Sequence, residues 1–117
     1  MDFLSGLFGP PMPAISAVEL SEKLKSSTRP LVIDVREPEE YRDGHITLAK
    51  PLPLGELHQH IKELPKDKEI ICVCASGSRS SSATKMLIGA GFNAINMNGG
   101  MYMWQRSGLP VKKGSAA

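Results

Sequence analysis

Two runs of apolar, mostly β-branched residues stand out from the polar background, Leu31-Val32-Ile33 and Ile70-Ile71-Cys72-Val73. Neither alternates with polar residues, so each reads as a strand buried on both faces of a parallel sheet. Elsewhere the apolar positions follow a helical period. Ser16 stands three residues before Glu19, a capping-box spacing, and Val18, Leu20 and Leu24 follow, which predicts a helix over residues 17–25. Leu54, Leu57, Ile61 and Leu64 predict a second before Pro65. Ala83, Met86, Leu87 and Ala90 form one stripe of a third that runs on from Ser80, with Gly91 as its stop. Shorter elements fill the gaps. Residues 37–41 form a helix with Pro38 in its first turn and Gly44 beyond its end, and residues 46–49 a brief strand before Pro51 and Pro53. Residues 94–97 form a last strand, Gly99-Gly100 a turn and residues 101–106 a short helix.

Strands alternating with helices define an α/β class with a mainly parallel sheet. At 117 residues the chain holds one core. That domain is expected over residues 14–111, after a loosely held extension of residues 1–13 and before a polar tail of residues 112–117. Met1–Gly9 has no basic start and too short an apolar stretch for a secretory leader, and no segment can span a bilayer. A formal net charge of +2, with scattered basic residues, argues against nucleic acid or a membrane surface as partner.

Cys72 and Cys74 are separated by one residue. A disulfide needs Cα atoms roughly 4.4–6.8 Å apart with Cβ atoms turned together, a condition that neighbours on an extended strand rarely meet. Free thiols in a reducing, cytoplasmic compartment are therefore expected. Zinc is not indicated, because Cys-x-Cys lacks the usual ligand spacing and His45, His58 and His60 make no second pair. No metal or other cofactor is expected.

Cys74 falls at the C-terminal end of a buried strand, where open parallel sheets bind ligands. Ser76, Gly77 and Ser78 are small enough to let backbone N–H groups turn inward, and the helix that follows begins with unpartnered N–H groups. With Arg79 they make a nest for negative charge. A helix N-terminus carries an equivalent of roughly +0.5 charge and favours thiolate over thiol, so Cys74 is expected to be nucleophilic at neutral pH. Free cysteine is more often a small core residue. That reading suits Cys72, but it gives no reason for Gly77 and Arg79 at their offsets from Cys74.

Three stretches together resemble the rhodanese family of sulfurtransferases from about Ile15 to Val111: Asp34-Val35-Arg36-Glu37 with Glu40-Tyr41 and Gly44-His45-Ile46; Cys74-x-x-Gly77-x-Arg79-Ser80; and Gly99-Gly100 with Trp104 and Gly108-Leu109-Pro110-Val111. The resemblance implies a central five-stranded parallel sheet flanked by helices on both faces. It also implies that Cys74 bears the sulfur as a persulfide, in a cradle of Ala75, Ser76, Gly77, Ser78, Arg79 and Ser80. Asp34, Arg36 and Glu40 would support or border that loop, Arg36 either as a structural ion pair or as a substrate contact. Trp104 reads as core. After His45 the family commonly continues Ile-Pro-Gly-Ala, whereas this chain has Ile46-Thr47-Leu48-Ala49, which puts the shape of any substrate wall there in question.

The activity implied is transfer of a sulfane sulfur from a small anionic donor, thiosulfate or a related species, to cyanide or a thiol. A sulfur-relay module serving another protein is the alternative. A cysteine phosphatase is the third reading and the weakest. Those enzymes place one residue more between cysteine and arginine than the four seen here, and no aspartate follows closely enough to serve as general acid.

Overall fold

The computed structural model describes residues 11–117, so most of the expected N-terminal extension lies outside the described residues. Strands β1 (Ala14–Ile15), β2 (Leu31–Asp34), β3 (Lys50–Pro51), β4 (Glu69–Val73) and β5 (Asn93–Met97) form a parallel sheet in the order β1-β5-β4-β2-β3. Helices α1 (Ala17–Lys23), α2 (Pro38–Asp43), α3 (Leu54–His60), α4 (Ser78–Gly89) and α5 (Gly100–Arg106) cover it. Side chains alternate across a strand, and the two apolar runs therefore feed both faces. Val32, Ile71 and Val73 join Leu20, Tyr41, Met101 and Trp104 under α1, α2 and α5. Ile33, Ile70, Cys72 and Cys74 join Leu57, Ala83 and Leu87 under α3 and α4. Each fully buried Ile or Leu contributes about 1.5–3 kcal/mol, so the middle strands are held by packing from two sides. Among the described residues, no helix is long and apolar enough to cross a membrane.

The capping box at Ser16 and Glu19 is formed in both directions, though α1 turns Ala17 and Leu20 inward and leaves Val18 55% exposed. Four elements differ from expectation. β1 is a two-residue strand held by pairing with Asn96 and Met97 of β5. The brief strand expected at residues 46–49 is instead a tight turn, closed by the Ala49 N–H on the Ile46 carbonyl at 2.9 Å. The strand follows it at Lys50–Pro51, on the sheet edge where a proline interrupts no ladder. The helix expected through Leu64 ends at His60 and passes into a 3₁₀ turn, Ile61–Glu63. Finally, α4 starts at Ser78 rather than Ser80, because Gly77 with φ +105° takes the N-cap position.

The turn at residues 46–49 places Leu48 at φ +73°, the one positive φ outside glycine among the described residues. Third-position residues of such turns favour glycine. The departure Thr47-Leu48 thus changes the residues of the turn and leaves Leu48 53% exposed. This turn, with Leu24, Arg29 and Trp104, borders a cavity of about 210 Å³. Arg29 precedes β2, so the cavity lies at the end of the sheet opposite Cys74.

Candidate active site

Cys74 continues the alternation of β4 by one residue and stops where the backbone leaves the sheet. Its side chain is buried, and its Sγ accepts the Gly77 N–H at 3.0 Å and the Ser80 hydroxyl at 3.3 Å. Burial alone would push the thiol up. The Ser80 hydroxyl and the N–H groups of Ser80, Gly77 and Ser76 outweigh it, so Cys74 titrates below the ordinary thiol range. Cys72 faces the same layer two residues back and has no such cradle. Burial pushes it up to about 11, with only a smaller opposing effect from Thr84. Both cysteines are free.

The cradle residues occupy one tight loop and the first turn of α4. Ala75 is half-buried, Ser76 and Ser78 are exposed with their hydroxyls 3.3 Å apart, and Ser80 is fully buried. Arg79 forms a two-point ion pair with Glu40, Nη1 to Oε1 at 2.8 Å and Nη2 to Oε2 at 2.9 Å. The guanidinium, ahead of a Glu37 N–H, holds the Glu40 carboxyl down to about 2. Arg79 itself is raised, first by Glu40 and more weakly by the Cys74 thiolate. Because α2 lies on one face of the sheet and α4 on the other, this pair bridges the two layers over the C-terminal ends of β2 and β4.

Asp34 and Arg36 lie one strand away from the loop. Arg36 Nε and Nη2 grip both Asp34 oxygens at 2.8–3.2 Å, and Nη2 also donates to the Gly44 carbonyl at 2.8 Å. Both side chains are buried. Their bonds hold the end of β2 to the end of α2, the helix that carries Glu40. His45 stacks on Tyr41 at 3.7 Å and is fully buried, whereas His58 is exposed and His60 pairs with Glu63.

Sequence reasoning missed four residues that touch this site. Thr84 donates to the Ser80 carbonyl at 2.8 Å, and Asn96 Nδ2 donates to the Gly77 carbonyl at 3.3 Å. Gly99 and Gly100, expected as a plain turn, bring the start of α5 against the loop. A Gly-Gly pair just past the C-terminal end of a strand, at the same edge as Cys74, is the signal that could have found them.

The sequence matches the rhodanese-like domain family over residues 16–107. A sulfurtransferase of Allochromatium vinosum is 35% identical over 98 residues, covering 83% of this chain and 92% of the relative. The thiosulfate sulfurtransferase GlpE of Pseudomonas entomophila is 36% identical over 76 residues, 64% of this chain and 70% of the relative. Among solved structures, a rhodanese-related protein of Thermoplasma volcanium superposes with a TM-score of 0.80 at 36% identity, covering 86% of this chain and 97% of that one. The chain belongs to the rhodanese-like family of sulfurtransferases.

Proposed function

We propose that the chain moves a sulfane sulfur from thiosulfate or a related donor to a thiophilic acceptor, cyanide or a thiol, through a persulfide on Cys74. The observation that carries this reading is the Cys74 Sγ itself, held at the base of a turned loop by one N–H and one hydroxyl, with its thiolate favoured despite burial. The thiolate attacks the outer sulfur of thiosulfate. A new S–S bond forms to Cys74, the donor's own S–S bond breaks, and its electron pair leaves with sulfite. The terminal persulfide sulfur then carries the negative charge, and the N–H groups of residues 75–80 stabilise it as fixed dipoles that need no reorganisation. Cyanide or a thiolate attacks that terminal sulfur and returns Cys74 as thiolate. Glu40 keeps Arg79 at the rim of the loop, and Asp34 with Arg36 keeps α2 in place.

Incubation of the reduced protein with thiosulfate should add one sulfur, about 32 Da by intact mass, and cyanide should remove it. Cys74→Ser should show neither step, and Cys72→Ser should show both. Loading that persists in Cys74→Ser, or vanishes in a folded Cys72→Ser, would overturn the assignment.

A further inference from the structure

We infer that Gly100 is a positioning residue for the sulfur-bearing loop, because it lets the first turn of α5 grip the loop carbonyls and so turns the loop N–H groups toward Cys74. The inference rests on the reading of Cys74 as the sulfur carrier and assigns a role to a residue outside the loop.

In a trans peptide the C=O and the following N–H lie in one plane and point in opposite directions. Fixing a carbonyl outward therefore aims the next N–H inward. The Met101 N–H donates to the Cys74 carbonyl at 2.8 Å, and the Tyr102 N–H donates to the Ala75 carbonyl at 3.0 Å. The second bond directs the Ser76 N–H toward Sγ, where it is one of the groups that favour the thiolate. On the far side of the loop, Asn96 and the Ser81 N–H hold the Gly77 carbonyl. The loop thus lies between two sets of donors, one facing the sulfur and one facing the carbonyls.

This grip demands close approach. A Cβ on Gly100 would stand under 3.0 Å from the Cys74 carbonyl oxygen and from the carbonyl carbon and oxygen of Ala75. All three are backbone atoms that cannot rotate away. Gly100 also has φ +56°, so a side chain there meets both strain and collision. Gly99, at φ +76°, would be strained as well, but a Cβ on it would collide with Met103 Cβ and Cγ of its own helix rather than with the sulfur-bearing loop.

The test uses the full chain and two measurements, thiolate formation by ultraviolet absorbance against pH and sulfur loading from thiosulfate by intact mass. Gly100→Ala should keep its circular dichroism, raise the pH at which Cys74 ionises by about one unit and slow loading about tenfold at pH below both ionisation midpoints. Should Gly100→Ala fail to fold, the comparison of Tyr102→Pro with Tyr102→Ala decides. Tyr102 is 63% exposed and lies in the first turn, where proline removes an N–H that makes no intrahelical bond. Tyr102→Pro should ionise at higher pH and load more slowly than Tyr102→Ala. A folded Gly100→Ala, or a Tyr102→Pro, whose pH profile matches its comparator would overturn the inference. A parent protein that never loads sulfur would instead overturn the proposed function, and the thiolate titration would still report on the loop.

Discussion

Ser80→Ala isolates one contact to the sulfur. The hydroxyl is fully buried and donates to Cys74 Sγ at 3.3 Å, whereas the Ser80 N–H, which also favours the thiolate, survives the substitution. A hydrogen bond to a charged group is worth about 1.5–3 kcal/mol. The long contact to sulfur argues for the lower end. At about 1.4 kcal/mol per unit, that raises the Cys74 pKa by about one unit and cuts the thiolate fraction about tenfold at pH below both values. Loading from thiosulfate should fall by the same factor at pH below both values and recover once the pH exceeds the new pKa. Ser80→Thr, which keeps the hydroxyl, should restore much of the loss. The sign of the stability effect is also set. The folded-state pKa of Cys74 is depressed, so the thiolate's contribution to stability is fully present above the unfolded pKa and is lost as pH falls through the folded value. Ser80→Ala should therefore lose stability mainly in alkaline solution. An unchanged thiolate titration in a folded Ser80→Ala would refute the reasoning.

Two further outcomes can be checked by melting experiments. Glu40 is held down to about 2 from an ordinary 4.5, so its pairing with Arg79 stabilises the fold above about pH 4.5 and is lost as pH falls toward 2. The parent should lose stability over that window, and Glu40→Gln should flatten the loss; equal acid sensitivity in both would sink the idea. Leu48→Gly relieves a left-handed conformation that costs about 1–2 kcal/mol and offsets it with about 0.5–1 kcal/mol of glycine entropy. With the side chain half-exposed, Tm should rise by about 3 °C, and a fall in Tm would show that the leucine's contacts outweigh its strain.

The parts of the fold legible in the sequence are those whose cause is local. The strands at Leu31 and Ile70 announce themselves by apolar runs, α1 by Ser16 and Glu19, α4 by its stripe, and the loop by Gly77 and the adjoining helix. β1 has only Ala14 and Ile15, and its pairing to Asn96 and Met97 makes it a strand. β3 contains Lys50 and Pro51, a composition that an edge tolerates and that no pattern signals. Within the site, Cys74 and its neighbours could be found from spacing, whereas Glu40 comes only from the family resemblance and its contact only from the fold. Glu40 and Arg79 are 39 residues apart, and their two-point pairing depends on how two layers meet. Gly100 needs the approach of α5 to acquire a role. The contacts of Arg36 likewise depend on the fold, since Asp34 and the Gly44 carbonyl take its Nε and Nη2 donors.

The alternation of β4 works as a parity check on the chemistry. Cys72 and Cys74 point into the layer of α3 and α4, while Ile71 and Val73 point into the other layer. Deleting or adding one residue between Glu69 and Cys74 would turn the sulfur through half a rotation, away from the start of α4 and into apolar side chains under α1 and α5. Composition would be almost untouched, and the sheet could still pair. The Cys74 thiol would then be on the wrong side of the wall, so under the proposed function the count of residues along this strand is as much a requirement as the cysteine itself.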